Sequence, residues 1–323
     1  MRRLPLLALL LATSLFAADD KIVHRLHVGG EGGWDYVTVD SGQRRLYQSH
    51  GNRVVVVDID KQTVVGEIAD TPGVHGIALA SDRGFVSAGK SNSVVVFDRD
   101  SLKRVAEWKT TGENPDAILY DPHSKHVFTF NGRGKNATVF DASSGAVVAT
   151  IDLGGKPEFA VSDQRGRVFV NVEDTNELAV IDVKRNAVAA RWKLGSCVEP
   201  SGLAIDRLRR HLFSVCSNET LVVSDADSGK VIASAPIGKG VDGVAFDPAR
   251  NLVYSSNGRD GTITVVSAID YKVKETIPSA RGARTIAVDE KTHHLFLPTA
   301  KLEPAEPRWK VVPDTFEIIE VSP

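Results

Sequence analysis

The 323-residue sequence has no apolar run long enough to cross a membrane. Its most apolar stretch, Leu4 to Phe16, has 13 residues, whereas a membrane-spanning helix needs about 20. Charges of one sign do not accumulate either, because 39 basic and 41 acidic residues are spread along the chain. This balance lacks the basic patch of a nucleic-acid binder, so neither a membrane span nor a nucleic-acid partner is expected.

Several enzyme motifs are also missing. The sequence contains no C-x-x-C-H for covalent haem, no H-E-x-x-H, no P-loop and no G-x-S-x-G. The run from Ser87 to Lys90 fits S-x-x-K, but it falls in a predicted loop and not on a helix, so we interpret it as chance. Covalent haem is therefore not an expected cofactor, whereas a divalent metal ion remains possible.

The first residues have the pattern of a secretory signal peptide. Two arginines precede the apolar run, and Ala17 with Ala18 supplies small residues for cleavage. We therefore predict a signal peptide over 1–17 and a single folded domain over 18–323. The protein is expected in the periplasm or outside the cell.

One pattern recurs seven times along the rest of the chain. Its copies are marked by Asp40, Ala80, Asp121, Asp163, Asp206, Asp247 and Asp289, which lie 40 to 43 residues apart. Each marker is followed by a strand-forming pair, a Val-rich run, a turn and a fourth alternating run. Four short strands joined by tight turns pair as antiparallel neighbours. This period is typical of propeller blades, so we predict an all-β fold, a seven-bladed β-propeller with four-stranded antiparallel blades.

The N-terminal strand is predicted to close the ring. The seventh copy ends near Glu320 without a fourth strand, and the run from Ile22 to Val28 resembles the fourth strands of the other copies. We expect this run to complete the last blade and to pair its open edge. The seventh copy also carries an insertion, in which Pro304, Pro307 and Pro313 indicate a surface loop.

Two of the units resemble a known family. The segments SSGAVVATIDLGGKP and NELAVIDVKRNAVAARWKLG are similar to the repeats of the YVTN-repeat, or YncE-like, propellers. The similarity extends over roughly residues 21–321. It implies a seven-bladed propeller that is exported, and it brings no catalytic motif with it.

A ring of polar residues is predicted at one mouth of the central channel. We call this side the funnel face; it carries the loop into each first strand and the loop between the second and third strands. The first strand is innermost, so the residue before it, five positions before each marker, is expected near the central channel. These ring residues are Asp35, His75, Asp116, Glu158, Ser201, Asp242 and Arg284. The alternative to a functional site is a solvated polar ring, which any propeller can have at a water-filled mouth.

We predict that a ligand binds at this mouth, and no catalytic residue is predicted. The candidate ligand-binding residues are Asp35, His50, His75, Asp116, Glu158, Asp242 and Arg284. The candidate metal ligands are His75, Asp116, Glu158 and Asp242. His50 and His75 could share a ligand, with Trp34 beside them, or be two exposed loop histidines. The donors expected for a small anionic ligand are Arg133, Arg259 and Arg284.

The two cysteines belong to one predicted blade. Cys197 precedes the first strand of blade five and Cys216 ends its second strand, so both lie at the funnel face. In an exported protein we predict a Cys197–Cys216 disulfide. A metal site or a reactive thiol is the alternative.

Two classes of function remain. The missing catalytic motifs favour an exported, non-catalytic binding or interaction scaffold, with a protein or a small molecule as its ligand. The alternative is a lactonase-like hydrolase or a metal-dependent oxidoreductase with its site at the same channel mouth. In both cases we expect a monomer.

Overall fold

The computed structural model describes residues 21–305 and 309–323, so the predicted signal peptide lies outside the described residues. Among them, no helix has the length and apolar character needed to cross a membrane. Short 3-10 turns occur at Gly89–Ser91 and Glu173–Thr175. The remaining regular structure consists of β-strands.

The first half of the chain forms the following strands: β1 (Ile22–His27), β2 (Trp34–Asp40), β3 (Arg45–His50), β4 (Arg53–Asp58), β5 (Thr63–Ile68), β6 (Val74–Leu79), β7 (Arg83–Ala88), β8 (Ser93–Asp98), β9 (Arg104–Lys109), β10 (Pro115–Asp121), β11 (His126–Asn131), β12 (Asn136–Asp141), β13 (Val147–Asp152), β14 (Pro157–Ser162) and β15 (Arg167–Val172). The second half forms β16 (Glu177–Asp182), β17 (Ala187–Lys193), β18 (Pro200–Asp206), β19 (His211–Cys216), β20 (Thr220–Asp225), β21 (Val231–Pro236), β22 (Val241–Asp247), β23 (Leu252–Asn257), β24 (Thr262–Ser267), β25 (Val273–Pro278), β26 (Ala287–Val288), β27 (Leu295–Thr299), β28 (Leu302–Glu303), β29 (Lys310–Val311) and β30 (Glu317–Val321).

These strands form seven four-stranded antiparallel sheets, and the predicted fold is confirmed. Six blades run in chain order from β2-β3-β4-β5 to β22-β23-β24-β25. The seventh has the order β26-β27-β30-β1, so the N-terminal strand is its outer edge, as predicted. β1 pairs with β30 over Ile22–His27, and Arg25 adds a 2.7 Å ion pair to Glu317.

The repeated aspartates cap the turns of each blade. The marker Asp206, for example, accepts the backbone N–H groups of Leu208 and Arg209 through Oδ1, both at 2.9 Å. At the end of a third strand, Asp225 accepts the N–H of Ser228 in the same way, at 2.7 Å. A short acidic side chain can bond to the backbone two or three residues ahead, which makes it a good turn former. The aspartates therefore recur because each blade needs a turn-stabilising residue at these positions.

The core lies between neighbouring sheets and repeats with the blades. The second strand of every blade places one aromatic residue at an equivalent buried position: Tyr47, Phe85, Phe128, Phe169, Phe213, Tyr254 and Phe296. Each packs into a cluster that joins two adjacent blades, as Phe213 does with Val244 and Val253. Burying a large side chain of this kind contributes about 1.5–3 kcal/mol, so these positions hold the ring together.

The insertion of blade seven differs from the predicted loop. It contains a short hairpin in which Leu302 pairs with Val311 and Glu303 with Lys310. Pro304 and Pro313 lie outside its strands, and Pro307 is outside the described residues. The prolines bound the hairpin but do not prevent it, because the two strands are only two residues long.

The predicted disulfide between Cys197 and Cys216 is confirmed, with the Cα atoms 5.4 Å apart. Both cysteines are buried, in a cluster with Leu203 and Leu212. The bond ties the loop before β18 to the end of β19.

Candidate functional site

A β-bulge places the ring residue in six of the seven blades. The pairing of first and second strands shifts between Trp34 and Val37 in blade one and between Val74 and Ile77 in blade two. Blades three to six show the same shift at the same position. A bulge leaves a residue outside the regular ladder and re-aims its side chain. Ring residues from different blades therefore meet at the channel mouth.

Buried hydroxyl groups of the second strand hold these bulges. Ser49 Oγ accepts the backbone N–H of Asp35 at 3.1 Å. Ser87 Oγ accepts the N–H of Gly76 at 2.8 Å and donates to the carbonyl of Asp116 in the next blade. The S-x-x-K run was predicted in a loop, whereas Ser87 lies in β7 and only Gly89 and Lys90 belong to the 3-10 turn that follows. Ser87 thus has a structural role, because it holds the bulge.

Three ring residues of blades one to three meet at the mouth. His75 Nδ1 lies 2.7 Å from Asp35 Oδ2 and 3.6 Å from Asp116 Oδ1. One ligating atom of each residue lies within 4.8 Å of the others. The three side chains are 27%, 18% and 16% exposed for His75, Asp35 and Asp116, so the group is largely buried yet reachable from solvent. We call Asp35, His75 and Asp116 the triad.

The other two ring carboxylates pair with cations instead. Arg284 Nε donates to Asp242 Oδ2 at 2.8 Å, and its Nη2 donates to the carbonyl of Trp34 at 2.9 Å. Lys156 Nζ lies 2.6 Å from Glu158 Oε1 and also pairs with Glu173. Of the four candidate metal ligands, the structure thus groups His75 and Asp116 with Asp35, and it places Glu158 and Asp242 elsewhere.

Burial and mutual repulsion shift the pKa values of the ring residues. Burial raises the pKa of Asp116, which the charge of His75 only partly offsets. Burial also raises the pKa of Asp242 despite Arg284. Burial opposes protonation of His75, but its hydrogen bond to Asp35 and the charge of Asp116 raise its pKa above the ordinary 6.5. Carboxylates that crowd around a half-buried axis resist carrying all their charges at once.

Two aromatic side chains meet in the channel at the next residue along each strand. Tyr36 of blade one stacks on Phe159 of blade four, with ring centroids 4.3 Å apart. Burial, followed by the charges of Asp116 and Glu158, raises the pKa of Tyr36 well above 10. The Tyr36 hydroxyl is sealed from solvent and has no hydrogen-bond partner among the described residues. Blades one and four thus touch across the axis.

Sequence reasoning missed this stack, although a signal was present. The residues that come after the ring positions are Tyr36, Gly76, Ala117, Phe159, Gly202, Gly243 and Thr285. Two of them are large and aromatic, and the rest are small. A Cβ at Gly243 would lie 2.9 Å from the Cα of Thr285, so the neighbouring strand requires a small residue there. Where most equivalent positions require a small residue, a large aromatic residue at one of them indicates that its side chain fills the central channel.

His50 does not join His75. It is buried and stacks on Phe316, with centroids 4.0 Å apart and planes 5° from parallel. Burial and the charge of Arg53 lower its pKa. His50 is therefore buried and is not a member of the triad, and a ligand shared by the two histidines stays a prediction.

A cavity of about 1290 Å³ opens on the funnel face. It lies beside the triad, mainly against blades six, seven and one, and the blade-seven hairpin forms one wall through Leu302 and Val311. The charged and aromatic residues of its lining are Trp34, Lys156, Glu173, Asp242, Arg259, Arg281, Arg284 and Trp309. Four basic residues thus face two acidic ones.

The predicted anion donors separate in the structure. Arg259 and Arg284 line the cavity, whereas Arg133 is exposed and outside its lining. Arg281, which sequence reasoning missed, packs its guanidinium over the ring of Trp309, 4.8 Å from the centroid. The insertion in the seventh copy could have indicated Arg281, because an extra segment at the channel mouth forms a new surface against which neighbouring side chains pack.

Histidines of the opposite face form separate pairs. His293 Nδ1 lies 2.8 Å from Asp247 Oδ2, and His294 Nδ1 lies 2.6 Å from Glu320 Oε1. Neither pair belongs to a group of three potential ligands among the described residues. These pairs hold the turns of blades six and seven and serve as natural comparisons for the triad.

Fold and site together define a seven-bladed β-propeller with a polar mouth on one face and an adjoining cationic and aromatic cavity. No family model and no curated protein sequence matches the chain, so the YVTN-repeat resemblance stays a prediction. Among solved structures, the chain is similar to hydrazine synthase of Kuenenia stuttgartiensis. The TM-score is 0.74 and the identity 16%, over 84% of this chain and 94% of that one. A likeness at this identity shows the fold alone.

Proposed function

We propose that this protein is an exported, non-catalytic binding propeller that holds a small anionic ligand with a flat apolar part in its funnel-face cavity. The observation that carries the proposal is the lining of the cavity, which combines four basic side chains with two tryptophans. Ligand sites are typically concave and mostly apolar, with a few polar groups that fix orientation. A volume of about 1290 Å³ suits a small molecule.

The cationic side chains of the cavity differ in their availability. Lys156 and Arg284 are engaged by ring carboxylates, whereas Arg259 and Arg281 form no ion pair within the described residues. Guanidinium groups bind carboxylate or phosphate through paired hydrogen bonds. Arg281 already rests on Trp309, so an anionic group can meet it without much loss of side-chain freedom.

Trp309 supplies an exposed surface for the apolar part of the ligand, and the largely buried Trp34 forms part of the cavity floor. Trp34 is held by a hydrogen bond from its Nε1 to the carbonyl of Gly282 and by Phe316, 5.6 Å away. Trp309 lies beside the blade-seven hairpin and is about half exposed. Aromatic faces bind flat apolar groups by stacking. Export is supported by the buried disulfide, which favours an oxidising compartment.

The alternative is a hydrolase or an oxidoreductase at the same mouth. Such an enzyme would need an activated nucleophile or a metal ion, and the described residues of the cavity lining include no serine, cysteine or histidine. An enzyme would therefore have to use the triad beside the cavity. A single monomer carries every residue that the binding proposal needs.

A direct test is titration with 8-anilinonaphthalene-1-sulfonate, which combines an anionic group with flat rings. We expect saturable one-to-one binding by the full chain. Arg281→Ala and Trp309→Ala should each weaken it about tenfold, the equivalent of one charge-assisted contact. Binding is followed by probe fluorescence and by calorimetry.

Arg133→Ala is the matched control, because it removes an exposed arginine from the same face but outside the cavity lining. It should bind the probe as the unchanged protein does. Equal affinities for all four proteins would show that the probe binds elsewhere and would remove the support for this cavity.

A further inference from the structure

We propose that the triad of Asp35, His75 and Asp116 is a binding site for one divalent transition-metal ion. The three residues do not line the funnel-face cavity, so the inference does not rest on the proposed function. It starts from the distribution of charge around the channel mouth.

Charge compensation is uneven around the ring. Asp242 has Arg284 at 2.8 Å and Glu158 has Lys156 at 2.6 Å. Within 4 Å, the described residues give Asp116 one ion-pair partner, the His75 imidazole at 3.6 Å. Asp35 shares that same imidazole at 2.7 Å, and Arg284 approaches it only to 3.6 Å. Two carboxylates therefore share one histidine, with Arg284 as a more distant partner of Asp35, and an added cation would neutralise their remaining charge.

The spacing of the donor atoms suits a metal ion. Atoms bound to one ion at about 2.0–2.2 Å lie roughly 3.0–3.5 Å from one another. The observed 2.7 Å and 3.6 Å contacts of His75 Nδ1 bracket that range. Small side-chain rotations, with loss of the proton between His75 and Asp35, would bring the three atoms around one centre.

The buried Tyr36 hydroxyl is an independent observation that points to the same place. It has no hydrogen-bond partner among the described residues, and Tyr36 follows Asp35 directly on β2. An unpartnered buried hydroxyl is costly. Water bound to an ion at the triad would provide the missing partner, because a three-residue set leaves further coordination positions open.

The donor set favours one class of metal. One imidazole nitrogen and two carboxylate oxygens suit Mn²⁺, Fe²⁺, Co²⁺ or Zn²⁺, whereas Ca²⁺ and Mg²⁺ prefer oxygen throughout. The second strands support the site, because Ser49 and Ser87 fix the bulges that carry Asp35 and Asp116. Preorganised ligands of this kind are what a metal site requires.

The experiment is equilibrium dialysis of the tag-free full chain against Zn²⁺ and, separately, Mn²⁺, with metal content measured by mass spectrometry. We expect one ion per chain. His75→Ala and Asp116→Asn should each weaken binding at least about tenfold. Cu²⁺ added as a spectroscopic probe should show pulsed-EPR modulation from one imidazole, and His75→Ala should abolish it. This signal reports ligation even if a variant is less stable.

His294→Ala is the matched control. Its histidine forms a similar pair with a carboxylate, at 2.6 Å and with 30% side-chain exposure, but has no third ligand among the described residues. It should bind metal as the unchanged protein does. The proposal is overturned if the unchanged protein binds no ion, or if His294→Ala loses as much binding as His75→Ala.

Discussion

At the scale of single residues, the same backbone position performs different tasks in different blades. The bulge places one side chain per blade at the mouth, and the identity of that residue decides which contacts it makes. Asp242 pairs with Arg284 of the next blade, whereas Glu158 pairs with Lys156 of its own. Asp35 and Asp116 meet His75 between them. The repeat determines where each ring residue lies, and the differences in residue type between blades determine which ion pairs form.

Glu158 provides a residue-scale prediction on pH. Burial and the charge of Asp116 raise its pKa from 4.5 to about 8, against the opposing effect of Lys156. The folded state thus binds this proton more tightly than the unfolded chain does. The associated stability is present below about pH 4.5 and is lost as the pH rises towards 8. Glu158→Gln should remove that loss, since Lys156 keeps Glu173 as a partner.

Urea unfolding at pH 5 and pH 8 with a chelator present measures the effect. Between these values, the free energy of unfolding of the unchanged protein should fall by about 3 kcal/mol more than that of the variant, since about 1.4 kcal/mol per pKa unit acts over most of this pH interval. Glu177→Gln is the control, because Lys193 lowers the pKa of Glu177. A pH dependence equal in Glu158→Gln and the unchanged protein would contradict the prediction.

The sequence predicted the ring but not its internal pairs. Spacing from the markers identified Asp35, His75 and Asp116 as equivalent residues, because a repeat carries the blade geometry with it. They were predicted just before the first strands, whereas the structure places them within β2, β6 and β10, where the bulges re-aim them. Which ring members touch depends on side-chain length and rotamer at an axis where seven strands converge, and spacing does not contain that information. His50 shows the limit, because its position in a loop pattern could not reveal the stacking on Phe316.

At the scale of elements, the disulfide and the hairpin modify one repeat each. The hairpin gives blade seven a cavity wall that the other blades lack within the described residues. Its two-residue strands could not be predicted from the sequence, because the three prolines of the segment indicate a loop. The disulfide could be predicted, since both cysteines fall at one end of neighbouring strands. Each feature lies on the funnel face, where the ring and the cavity are.

The disulfide provides the element-scale prediction. It closes a separation of 19 residues, and constraining an unfolded chain by a loop of this length contributes about 3 kcal/mol. The double variant Cys197→Ala, Cys216→Ala should lose about that much free energy of unfolding, as should the unchanged protein after reduction. Urea unfolding with and without reductant measures both.

The double variant should show no response to the reductant, which separates the bond from other effects of reduction. Its probe and metal binding should persist, because neither cysteine lines the cavity or belongs to the triad. Unchanged stability of a protein whose thiols are shown to be free would contradict the assignment of about 3 kcal/mol to this bond.

At the scale of the whole molecule, closure makes the blades cooperate. Each blade packs on two neighbours, so an open ring would expose one sheet face at each end. In this chain the two ends of the described sequence meet in one sheet, where β1 covers the edge of β30. Ile22 and Leu26 also pack into the clusters on either side of blade seven. Closure of the ring therefore depends on one short strand, β1.

Removal of that strand tests closure. A chain that begins at Gly29 lacks β1 and should lose about 3–5 kcal/mol, mainly from the burial of Ile22, Leu26 and Val28. It should also self-associate, because the exposed edge of β30 can pair with another chain. A synthetic peptide of residues 21–28 should restore the melting temperature and the monomer.

Arg25→Ala, which removes only the exposed ion pair to Glu317, should cost less than about 1 kcal/mol. Calorimetry and light scattering follow both properties, and a truncated chain that melts and scatters like the unchanged protein would show that the ring does not need β1.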